Sequence, residues 1–341
     1  MNKHICSLLL AGTALALVSC GGGKSKNSGG AAATVYAAGY ELGTDSKNHA
    51  MLWTDGAAKQ LSGNPSYANS VFVSGGAVYV AGYEESSDGG RRATLWKNGV
   101  AQSLSNRYSE AASVFVSGNN VYVAGQVEHP QNDNRHAPAL WTDGSVQNLS
   151  DYYATTSLTA TSVFVSGSDV YVGGLDVDYN NIWKNGVAMN VNPKDIARIN
   201  SVYASGSTLH CAASWRENDL SRAVTVKVVG SGVTHQYLDE GWSEAKSVFV
   251  SGSNVYAAGY TGGTAALRRA KVWKDGTAQP LSNLRSEASS VFVSGGDVYV
   301  GGHEYAGGDN ASDQRARVWK NGAAQNLSNR QSSVASVYVV K

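Results

Sequence analysis

A thirteen-residue phrase constrains this chain more than anything else in it. SVFVSGGAVYVAG begins at Ser70 and returns with small changes at Ser113, Ser162, Ser201, Ser247 and Ser290, and a seventh start (SVYVVK) stands at Ser336. Successive copies are 43, 49, 39, 46, 43 and 46 residues apart. A period of that length marks units that cannot bury their apolar faces alone and must stack on copies of themselves.

Each unit reads as four antiparallel strands, a to d. Val71-Phe72-Val73 and Val78-Tyr79-Val80 are β-branched and aromatic, and Ser-Gly plus two small residues between them is hairpin chemistry. A second pair flanks Asn98-Gly99, and the same step recurs at Asp55-Gly56, Asp143-Gly144, Asn185-Gly186, Asp275-Gly276 and Asn321-Gly322. Those residues accept the positive φ of a tight two-residue turn. The first unit has b (Val35–Tyr40), c (Met51–Trp53) and d (Lys59–Leu61) but no a strand, and Ser336–Val340 is an a strand without a unit.

The expected fold is therefore all-β: a seven-bladed β-propeller over residues 33–341, four antiparallel strands per blade, its ring closed by the C-terminal strand joining the N-terminal three. Closure removes the exposed edge that an open array leaves, whereas a solenoid would carry atypical caps.

Strand b ends in a glycine pair at Gly173-Gly174 and Gly301-Gly302, and an aromatic residue follows on strand c. In this the chain resembles kelch-type propellers, although other blades have Ala-Gly and blade five has Ala212-Ala213. The LWKNG…LS units are also similar to those of a group of bacterial propeller lipoproteins. Both resemblances imply architecture and bring no activity.

Residues 1–20 stand apart from the repeats. A basic start (Lys3), an apolar run from Leu8 to Val18 and then Leu17-Val18-Ser19-Cys20 match a lipoprotein signal peptide. Cys20 would receive a diacylglyceryl group on its thiol, be freed by cleavage in front of it, and carry acyl chains such as palmitate. The alternative is an ordinary secretory signal with Cys20 incidental; the apolar run falls short of the roughly 20 residues that span a bilayer. Residues 21–32 read as a flexible tether. Gly21, where aspartate would signal inner-membrane retention, favours the outer membrane. The expected location is the cell envelope, with the membrane as a partner through lipidated Cys20.

Other classes are disfavoured by composition. Cys6 leaves with the signal and Cys20 is lipidated, so Cys211 has no partner for a disulfide. Net charge is +1 and no basic block exists, so nucleic acid is not an expected partner. No cofactor or metal is expected. No Cys/His cluster exists, and Asp176-Val177-Asp178-Tyr179-Asn180 lacks the glycine and distal glutamate of a calcium loop.

The repeated aromatics are expected to pack between blade faces rather than hold a cofactor. All five phenylalanines (Phe72, Phe115, Phe164, Phe249, Phe292) share one position, filled by Tyr203 and Tyr338 in the other two blades. The opening serine, present seven times, is expected to make a local hydrogen bond, because a nucleophile is needed only once.

Function is sought where the copies disagree. The b–c and d–a loops share one face of the disc and vary in length and content. Three residues before each opening serine stand Tyr67, Glu110, Thr159, Arg198, Glu244, Glu287 and Ser333. They are expected to ring the channel mouth, as a site for a cation or polar ligand or merely as solvated loop. Trp215 and Trp242, outside the repeat positions, could stack on sugar or form a protein hot spot, or simply pad blade five. Arginines before strand c (Arg92, Arg269, Arg315) are expected to pair with glutamates after strand b (Glu41, Glu84, Glu304). The expected function is a monomeric, non-enzymatic binding or protein-interaction scaffold whose partner is an envelope protein or a glycan. A glycan-binding protein is the second reading, and a hydrolase using Glu110, Glu244 and Glu287 the third.

Overall fold

Seven four-stranded antiparallel sheets stand around one axis, each with its strands in the order a-b-c-d. The computed structural model describes residues 32–129, 132–150, 158–175, 182–189, 196–217, 220–307 and 313–341. In blade 1, strand a is Ser332–Val340, which pairs with strand b, Thr34–Leu42, placing Tyr338 opposite Tyr36. Blades 2 to 7 follow in chain order, so the ring closes as the repeats predict. Among the described residues, no helix is long and apolar enough to cross a membrane.

The c–d turns obey their sequence. Asp55, Asn98, Asp143, Asn185, Asp275 and Asn321 all have φ of 49–53°, and the following glycine is also positive. Each of these side chains also accepts the N–H that opens strand b of its own blade, as in Val35 to Asp55 Oδ1 at 2.8 Å. One residue thus shapes one hairpin and pins the next strand.

Between blades the core is aromatic and aliphatic. The strand-c tryptophans Trp53, Trp96, Trp141, Trp183, Trp273 and Trp319 are all at most 1% exposed. At roughly 25 cal/mol per Å² and 150–250 Å² per aromatic side chain, each contributes about 4–6 kcal/mol of gross transfer free energy. Cys211 is also fully buried, and burial pushes its thiol up to about 12, so it is inert.

The phenylalanine position does more than the repeats predict. These rings pack against the blade cores, and they also meet one another around the axis. Phe72, Phe115, Phe164, Tyr203, Phe249, Phe292 and Tyr338 form a closed collar with successive centroids 4.5–5.0 Å apart. A heptagon of that edge has a radius of roughly 5 Å, so side chains fill most of the channel at this level. Interplanar angles of 40–57° bracket one seventh of a turn, which is the rotation between neighbouring blades. Strand a is innermost, so its inward residue meets its own copy next door on the axis side and the blade core behind it.

The opening serine makes a hydrogen bond, as expected, but not a local one. Val114 N–H donates to Ser70 Oγ, Val163 N–H to Ser113 Oγ, and so on to Val71 N–H and Ser336 Oγ, at 3.1–3.2 Å in all seven junctions. Strand a is the inner edge of its sheet, so its unpaired N–H groups must find acceptors elsewhere. The serines supply them from blade to blade.

Candidate functional site: the channel mouth

Just outside the serine ring, every a strand carries a break in register. The residue before the opening serine (Asn69, Ala112, Thr161, Asn200, Lys246, Ser289, Ala335) has no partner on strand b. Such bulges re-aim side chains at a rim. They also explain the strand-b glycine: a Cβ at Gly259 would lie 1.8 Å from the Glu244 carbonyl oxygen, and at Gly82 1.9 Å from that of Tyr67. The glycine is there because the bulge presses the mouth residue's carbonyl onto it. Blade five has Ala213 instead, and its a strand, Ile196–Ser205, contains a second break between Ile196 and Arg198.

The bulge residues and the predicted ring together line a cavity of about 550 Å³. Glu110, Thr159, Arg198 and Glu244 reach it from the ring; Asn69, Thr161, Asn200, Lys246 and Ser289 reach it from the bulges. The bulge set was missed from sequence, although its signal was there: the residue directly before the opening serine varies as much as the one three places earlier. Clefts between blades, one of about 290 Å³ at His210 and Asp275 and one of about 560 Å³ at Tyr256 and Val298, lie at the uniform a–b and c–d turns.

Tyr67 and Glu287 belong to the ring but not to the cavity wall. Tyr67 stacks on Tyr83, with centroids 5.1 Å apart, packs against Tyr40, and accepts a hydrogen bond from Asn48. Blades 1 and 2 therefore make an aromatic flank. Ser333 is hydrogen-bonded to His303 Nδ1 at 3.1 Å, and burial drives the His303 ring down to about 4, keeping it neutral.

Each glutamate is already held. Arg91 meets Glu110 at 2.5 Å and lies over the Tyr83 ring; Arg268 meets Glu287 at 2.6 Å and lies over the Tyr260 ring. This is one arrangement written twice, an arginine at or just before the start of strand c bridging to the next blade's a strand across a tyrosine. Glu244 is met by Lys246 at 3.3 Å and accepts from the Tyr260 hydroxyl at 2.7 Å. Burial raises the Glu244 carboxyl, but Lys246, the Tyr260 hydroxyl and Arg198 outweigh it and leave it below its ordinary value.

Arg198 differs from its neighbours. It alone in the ring is exposed, and among the described residues no carboxylate lies within ion-pair distance and no hydrogen bond engages it. Its surface touches the cavity while the blade walls crowd it, so burial lowers the guanidinium despite the more distant Glu244. Gln126, which lines the same cavity from blade three, is 8% exposed, and its Oε1 has no hydrogen-bond partner.

Three expectations change here. Trp215 is only 8% exposed and lies in strand b of blade five, stacked on His235 with centroids 4.4 Å apart and against Tyr237, so its face is not offered to a ligand. Trp242 is 45% exposed but lies outside the cavity lining. The hairpin opposes Arg92 to Glu84 and Arg315 to Glu304, yet Arg92 pairs with Asp88 and Glu304 with Arg317. The cations that reach the mouth are one residue earlier, because alternate strand residues face opposite sides. Cys20 and Asp176–Asp178 lie outside the described residues.

No family model and no curated protein matches the sequence. Among solved structures, the chain is similar to the β-propeller domain of the Trilobed protease from Pyrococcus furiosus, at 11% identity and a TM-score of 0.52, covering 87% of this chain and 95% of that one. A Mycobacterium tuberculosis puromycin-hydrolyzing peptidase is matched at 12% identity and a TM-score of 0.44, over 74% of this chain and 45% of that one. At such identities the first likeness speaks to the propeller fold.

Proposed function

We propose that this propeller is a non-enzymatic binding protein that holds a small polar ligand at its channel mouth, displayed at the cell envelope by a lipid on Cys20. The observation that carries this reading is the 550 Å³ cavity, lined mainly by polar side chains that differ from blade to blade. Its size lies within the range of ligand sites. The scaffold below repeats; the lining does not.

A hydrolase reading is weaker. A general acid needs a raised carboxyl, whereas Glu244 is lowered and Glu110 and Glu287 are each tied to an arginine. A glycan platform loses Trp215 to the core. The Leu17-Val18-Ser19-Cys20 order supports the anchor.

The test is to incubate the purified full chain with a small-molecule extract and analyse it by native mass spectrometry beside Ser289→Trp. The tryptophan would fill the cavity without breaking any hydrogen bond of Ser289. Retained ligand in the wild type that disappears in the variant is expected; retention that ignores the variant would place binding elsewhere and defeat the reading.

A further inference from the structure

The charges at the mouth do not balance. Among the described residues, Glu110, Glu244 and Glu287 are matched by Arg91, Lys246 and Arg268 at 2.5, 3.3 and 2.6 Å, and Arg198 is the cation left over. A cation entering the cavity would have to displace one of these partners. An anion need displace nothing.

We infer that the mouth takes an oxyanion ligand, a carboxylate or a phosphate, seated on the guanidinium of Arg198. This rests on the reading of the mouth as a binding site and names the chemistry that it selects. The guanidinium is a planar fork of donors that matches two oxygens at once and keeps its charge at any physiological pH. Exposed to the cavity yet crowded by the blade walls, it is open to a ligand and less screened by water than an arginine on an open surface.

Two further observations fit an occupant. The second break in register, present in blade five, lies directly before Arg198 and sets its backbone apart from the other six ring positions. A side chain kept only to brace the blade would be expected to bond something, and the Arg198 guanidinium bonds nothing among the described residues. Gln126 lines the same cavity from strand b of blade three, and its buried Oε1 has no hydrogen-bond partner. Buried polar atoms are normally paired, so its Oε1 suits an N–H donor on the same ligand. An oxyanion that also carries an amide N–H would offer a partner to each residue.

The probes are inorganic phosphate, citrate and N-acetylglutamate, with maltose as a neutral control, titrated calorimetrically into the full chain in detergent at low ionic strength. At least one oxyanion binds, N-acetylglutamate best if Gln126 takes part, and phosphate against the carboxylates identifies the source. Affinity falls at least tenfold in Arg198→Ala, is partly kept in Arg198→Lys, and weakens with salt. The melting temperature of Arg198→Ala stays close to wild type, as no bond is lost; a fall of more than about 5 °C would make Arg198 a brace and overturn the inference. Failure of every oxyanion to bind, or binding that Arg198→Ala leaves intact, overturns it as well. A ligand lost in Ser289→Trp but not in Arg198→Ala would sink the oxyanion and keep the mouth; one indifferent to both would sink the two together.

Discussion

The same seven a strands build two rings that behave in opposite ways. At the collar, the inward residue is phenylalanine or tyrosine in every blade, and each ring packs on its counterpart one seventh of a turn away. At the mouth, the inward residues are Tyr67, Glu110, Thr159, Arg198, Glu244, Glu287 and Ser333, with no two neighbouring blades alike except the glutamate pair. A bulge separates the levels in every blade. Below it, a side chain's neighbour is its own copy, so a change in one blade damages two contacts. Above it, the cavity widens and neighbours no longer touch ring to ring. Repetition is enforced where copies meet and relaxed where they do not.

The sharpest break of this contrast is Gly259→Ala, at the boundary between levels. Its Cβ would sit 1.8 Å from the Glu244 carbonyl oxygen, so the bulge must shift. The expected loss is roughly 3–4 kcal/mol in urea unfolding; a loss under about 1 kcal/mol would show that the bulge is not rigid.

Next in size is a pH effect within the mouth. Burial lowers folded His303 to about 4, with Arg285, Lys246 and Arg268 acting the same way and Glu287 opposing, against an ordinary 6.5. The unfolded chain therefore takes the proton first. His303's contribution is whole above pH 6.5 and is lost as pH falls through about 4, amounting to roughly 3 kcal/mol. The His303→Gln curve should lack this component, so the difference between the two curves carries the measurement; parallel curves would contradict it.

The smallest effect compares the rings directly. Phe115→Ala removes contacts to Phe72 and Phe164 at 4.6 and 4.8 Å and should cost roughly 2 kcal/mol, below a fully buried phenylalanine because the ring is half-buried. Thr159→Ala at the mouth should stay within about 0.5 kcal/mol. Equal losses would erase the distinction between a structural level and a variable one.

The blade count, the splice at Ser336–Val340, the Asp/Asn-Gly turns and the burial of six tryptophans were legible in the chain itself, because each depends on residues close in sequence or on a period. The mouth was half legible. Its ring was found by asking where the copies diverge, but the bulge residues and the Arg91 and Arg268 bridges were not. A bulge advances the strand by one residue without any local signature beyond the glycine opposite it, and that glycine also occurs for other reasons. Trp215 shows the reverse error: its position looked irregular in sequence, yet blade five packs it on His235 and Tyr237.

By itself the sequence determined that seven like wedges must close a ring, since a 39- to 49-residue unit with two apolar faces can bury them only against copies of itself. Tertiary structure alone decided that the phenylalanines face one another across the axis and that the opening serines tie neighbouring blades. It also decided that three of the four cations considered at the mouth are spoken for. Those facts depend on distances between residues about forty or more positions apart, or bridged across blades, and a period cannot reveal which side of a strand faces the axis. Arg198 is one letter among 341 in the sequence; only the closed ring shows it to be the mouth cation without a counter-charge among the described residues.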